Sequence, residues 1–130
     1  MKDLKTRIKK GCGGLFYISE TDAKIFPFFG SRVQAGVCST LVSELGLSEN
    51  IEINEISVEE FFERATKIND WHGENEKQNA KRFAALKQLL EENLTDLKVI
   101  RIGTILIDVF VVGIDGGGNL AGIRTKAVET

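Results

Sequence analysis

One hundred and thirty residues, 42% hydrophobic and 28% charged, describe one soluble globular domain over residues 1–130. Seventeen basic against nineteen acidic residues leave a net charge of −2, which argues against a dedicated DNA- or RNA-binding module. No apolar run reaches the ~18–20 residues of a membrane span, and the basic stretch Met1–Lys10 has no apolar core behind it, so neither an anchor nor a secretory signal is expected.

In chain order, Leu4, Ile8 and the glycines from Gly11 to Gly14 predict a short amphipathic helix stopped by glycine. Lys2, Lys5, Arg7, Lys9 and Lys10 then form its solvated side. An apolar burst, Leu15-Phe16-Tyr17-Ile18, ends at Ser19-Glu20-Thr21-Asp22. Ile25 to Phe29 reads as a strand, and Pro27 inside it points to a sheet edge or a bulge. Val37, Leu41, Val42 and Leu45 are spaced for one face of a helix that Gly46 would cap.

Ile51, Ile53 and Ile56 mark a strand. Ser57-Val58-Glu59-Glu60 matches a capping box, with Ser57 as N-cap and Glu60 reaching back, opening a helix to about Ala65. The polar segment Thr66 to Gly73 separates it from the longest helix, where Ala80, Phe83, Leu86, Leu90 and Leu94 make a core stripe. Val99–Ile102 and Ile105–Val112 follow as strands, the second apolar on both faces and therefore central. Asp115-Gly116-Gly117-Gly118-Asn119 turns the chain into a partner strand, Leu120–Val128. The sum is a small mixed, largely antiparallel sheet with helices on both sides.

The parts from which enzymes are usually made are scarce. Cys12 and Cys38 are too few and too far apart for a disulfide framework or a C-x-x-C motif. His72 is the only imidazole, so neither a zinc site nor a triad is readily built, and no cofactor is expected. Gly36-Val37-Cys38-Ser39-Thr40 reads better as a small-residue helix face than as a nucleophile loop. The two glycine runs lack the spacing of phosphate-binding motifs and read as a helix stop and a hairpin turn.

Two features point instead to protein contact. Trp71 lies among Asn69, Asp70, Gly73 and Glu74, and a tryptophan in a polar loop is either core or an interface anchor. Between Val33 and Glu63 there are seven glutamates and no lysine or arginine, which is either a solvated face or a surface offered to a basic partner.

The chain resembles the nuclease A inhibitors, small bacterial proteins that block a metal-dependent, sugar-nonspecific endonuclease. The likeness runs from about Gly11 to Thr130 and is carried by Gly14-Leu15-Phe16-Tyr17-Ile18-Ser19-Glu20, Phe61-Phe62-Glu63-Arg64-Ala65-Thr66, Asp70-Trp71, Asn119 to Lys126, and Val128-Glu129-Thr130. Ser31 to Glu49 and the segment after Trp71 depart from the family pattern. The resemblance implies an α/β/α three-layer sandwich with a topology related to PR-1-like proteins. It also implies a non-enzyme, monomeric or paired 1:1 with its target, and composition points to the cytoplasm. An acidic residue after the first helix and the C-terminal residue would plug the nuclease cleft near its magnesium. Those roles fall on Glu20 and Thr130, with Asp70 and Trp71 in the contact surface. The protein would need no metal of its own, because carboxylate oxygens are ligands that Mg²⁺ accepts from either side of an interface. The alternative is a non-enzymatic interaction domain of the same fold with another partner.

Overall fold

Glycine and a single proline punctuate the computed structural model, which describes residues 4–18, 22–34, 36–47, 51–66 and 73–129. The elements in order are α1 (Leu4–Cys12), β1 (Phe16–Ile18), β2 (Asp22–Lys24), β3 (Phe26–Arg32), α2 (Val37–Leu45), β4 (Ile53–Ile56), α3 (Val58–Thr66), α4 (Glu74–Asn93), β5 (Thr95–Ile102), β6 (Leu106–Ile114) and β7 (Asn119–Val128). β1 and β2 pair as a separate ribbon, and the remaining strands form a sheet in the order β3-β7-β6-β5-β4.

Every pairing between described strands is antiparallel, so the expected mixed sheet is corrected to a wholly antiparallel one. The physical reason lies in the connections. β5, β6 and β7 follow one another through short turns, and only antiparallel neighbours can be joined that way. β3 is an edge strand, one of the two positions Pro27 pointed to, and its register slips further along, between Phe29 and Arg32.

Local rules account for the end of α2 and the start of α3. Gly46 takes the left-handed conformation after α2, and its N–H reaches the Ser43 carbonyl. Ser57 Oγ accepts the Glu60 N–H at 3.0 Å, the N-cap half of the capping box. The other half is not made: the Glu60 carboxylate takes Arg64 at 3.1 Å, one turn on.

Side chains alternate across β6, and each parity meets a different set of helices. Ile107, Val109 and Val111 face Ile8 of α1, Phe61 and Phe62 of α3, and Phe83, Leu86 and Leu90 of α4. Phe110 and Val112 belong to a second cluster that holds Val37 and Leu41 of α2. Each fully buried large apolar side chain stabilises by roughly 1.5–3 kcal/mol. The six large helix side chains named from the first cluster, joined there by Cys12, therefore outweigh the two from α2, and most of the holding energy lies on that face.

Candidate functional site

A side chain of α4 holds β1 by imitating a neighbouring strand. The Asn79 amide donates to the Phe16 carbonyl at 2.9 Å and accepts the Phe16 N–H at 3.1 Å. Arg82, on the same helix, donates to the Gly13 carbonyl just upstream. From the other side, the buried Thr125 hydroxyl of β7 donates to the Lys24 carbonyl at 2.9 Å. The β1–β2 ribbon is thus fixed to both α4 and β7.

The Tyr17 side chain then enters the core. Its ring stacks on Phe61 of α3, with centroids 4.9 Å apart and planes 8° from parallel. Burial raises the phenol above its usual range, while Arg64, which hydrogen-bonds it, and Arg101 act to lower it. Glu129, close enough to be felt there, works in the opposite direction.

Those same arginines hold the end of β7. Arg101 Nη2 lies 2.5 Å from Glu129 Oε1, and Arg64 Nη1 lies 3.7 Å from the same oxygen. Arg101 Nη2 is buried and meets this carboxylate as a close charged contact. Contact with Arg101, reinforced by the charges of Arg101 and Arg64, holds the Glu129 carboxyl below its ordinary value. The Glu129 N–H donates to the Ile105 carbonyl at 3.0 Å, extending the β6–β7 ladder past Val128. Residues from β1, α3, β5 and the end of β7 therefore meet in one polar cluster.

Glu20, Asp70, Trp71 and Thr130, the residues singled out from the sequence, lie outside the described residues, as does His72. The fold gathers described residues near them in the chain. Tyr17 stands three residues before Glu20, Arg64 six before Asp70, and Glu129 next to Thr130. Sequence reasoning missed Tyr17, Arg64 and Arg101. A usable signal was Arg101, a cation inside the apolar strand Val99–Ile102, which needs an anionic neighbour once its strand is buried.

The other candidates have plainer roles. Cys12 is buried and free, its thiol pushed up to about 11 by desolvation, which makes it a poor nucleophile. Cys38 packs at the margin of the α2 cluster. Asp115 accepts the N–H groups of Gly117 and Asn119, so the glycine run closes a hairpin rather than a phosphate cradle. Of the glutamates in the acidic stretch, Glu55 pairs with Lys98 at 3.4 Å and Glu60 with Arg64. Among the described residues, no group of three or more His, Cys, Asp or Glu is placed to hold a metal. No described helix is long and apolar enough to cross a membrane.

An antiparallel sheet backed by helices, with arginines paired to Glu129 just past its last strand, is a small α+β protein. The family model of nuclease A inhibitor-like proteins matches residues 2–130, and the chain belongs to that family. No curated protein matches it.

Proposed function

We propose that this protein, acting as one domain with the three-layer, PR-1-like arrangement of its family, inhibits a metal-dependent, sugar-nonspecific endonuclease by filling its active site. The observation that carries the reading is the cluster of Tyr17, Arg64, Arg101 and Glu129, which ties β1, α3 and the end of β7 together within a nuclease-inhibitor family. Two separate helix clusters on alternate residues of the sheet support the layered arrangement.

A nuclease cleft is built for phosphate: it is cationic and holds a hard metal ion. A carboxylate supplies the same kind of oxygen to that ion, directly or through its waters. Glu20 and the α-carboxylate of Thr130 thus stand in for substrate phosphates that cannot be cleaved. Trp71 with Asp70 supplies contact beside them, tryptophan being the side chain that most often anchors an interface. The partner is the nuclease itself, bound 1:1 in the cytoplasm, and the inhibitor turns over nothing.

The test is at the chain's end. Termini ordinarily tolerate additions. Here a short extension beyond Thr130, or its deletion, abolishes most of the inhibition, while a tag at Met1 leaves it intact. Titration of a nonspecific magnesium-dependent nuclease with the three proteins reads this directly. Full potency of the C-terminally extended protein refutes the plug. Binding to some other protein without loss of nuclease activity would favour the interaction-domain alternative.

A further inference from the structure

The half of the second sheet face that α2 leaves uncovered carries Phe26, Arg124 and Lys126 beside Asp108 and the exposed Leu106, with Lys24 of the β1–β2 ribbon at its border. A groove of about 810 Å³ runs over it, lined among others by Lys24, Phe26, Asp108, Arg124 and Lys126. A smaller one of about 460 Å³, lined by Lys9, Phe16 and Lys24, meets it at Lys24. The register sets the spacing: Phe16 stands opposite Lys24, Phe26 opposite Arg124, and Lys126 opposite Asp108. Phe16 is 38% and Phe26 50% exposed, unusual for the most apolar aromatic side chain, and the Arg124 guanidinium sits 5.9 Å from the Phe26 ring centre.

None of Lys9, Lys24, Arg124 or Lys126 forms an ion pair with a described residue. Asp108 is the one acidic residue lining the larger groove, against Lys24, Arg124 and Lys126, and seven of the nineteen acidic residues lie between Val33 and Glu63, so a chain of net charge −2 still presents a locally cationic strip. Net charge averages over exactly the segregation that the fold creates between these strands and the acidic stretch.

We propose that this strip, Lys9–Phe16–Lys24–Phe26–Arg124–Lys126, binds single-stranded nucleic acid without sequence preference. Cations that track a backbone, interleaved with exposed rings on which bases stack, are the two components such surfaces combine. Apolar rings between the cations distinguish this strip from a surface made only to attract acidic side chains. None of these six residues belongs to the inhibitory cluster, although the groove reaches Ala127 and Val128 beside Glu129, and the test below is made without nuclease so that the two readings fail separately.

Fluorescence anisotropy of the full chain with a labelled oligothymidylate tests it, with no nuclease present. If all four cations contact phosphate, log K falls against log salt with a slope of about −3, from ~0.7 per phosphate for single strands. Arg124→Gln with Lys126→Gln halves that slope, and Phe26→Leu, which keeps the apolar surface, weakens binding about tenfold by removing a stacking face. Lys81→Gln on α4, equally exposed, changes neither by more than about twofold. Absence of saturable binding at low salt, or an equal loss with Lys81→Gln, overturns the proposal. So does polyglutamate competing as well as the oligonucleotide, which would make the strip a docking surface for acidic protein.

Discussion

Replacing Glu129 by glutamine removes one charge and almost no volume, so it isolates what the arginine clamp contributes. In the folded protein the Arg101 and Arg64 guanidinium groups hold the Glu129 carboxyl below its ordinary value of 4.5. A depressed carboxylate stabilises the fold at pH above the unfolded value and loses that contribution as pH falls through the folded one. The size follows from exposure. Glu129 is 44% exposed, which screens it, but the Arg101 side chain is only 16% exposed and is left in the sheet without its counter-charge. The two considerations together give a loss of about 1 kcal/mol at pH 7, a little above a typical surface pair. For a chain of this length that lowers the melting temperature by roughly 3–5 °C. Thermal unfolding of both proteins from pH 7 to pH 3 is the assay. The curves stand apart at neutrality and converge below pH 4.5. A gap that stays constant down to pH 3 refutes the ion pair as the cause.

Three further outcomes are expected. Glu20→Gln weakens binding to a magnesium-loaded nuclease more than to the metal-free one, and calorimetry showing equal losses would separate Glu20 from the ion. Gly122→Ala, whose added Cβ would run into the Val111 carbonyl oxygen in the neighbouring strand, costs more than about 3 kcal/mol, read as a collapse of the urea midpoint. Stability declines between pH 9 and 11 as the buried Cys12 thiol ionises more readily in the unfolded chain, the raised folded value of about 11 against 9.0 amounting to about 2–3 kcal/mol. Cys12→Ala flattens that decline, and an unchanged slope would assign it to other groups.

Short-range chemistry was legible in the residue order. Gly46 caps α2, Ser57 caps α3, and Ala80, Phe83, Leu86, Leu90 and Leu94 face the core, because a cap or a helical stripe depends on neighbours within a turn or two. β6 could be recognised as central from branched residues on both faces, and its place in the order bears that out. The start of β5 at Thr95 and the whole of β2 were not recognised. β2 is only three residues long, and β5 opens on Thr95 and Asp96, with Asp96 at positive φ and a register shift before Lys98, so neither opens with an apolar period.

What tertiary structure decided is which distant charges meet. Arg64, Arg101 and Glu129 come from a helix, a mid-sheet strand and the chain's end, and nothing in their local sequence pairs them. Their meeting follows from the register of β5, β6 and β7, which turns Arg101 and Glu129 to the face carrying α3. Phe26, Arg124 and Lys126 come together the same way, on the opposite face where α2 stops short, with Lys24 of the ribbon beside them. Composition sums charge over the whole chain. Only strand pairing decides which of those charges stand side by side, because alternate residues of a strand point opposite ways and partners are chosen by pairing across the sheet.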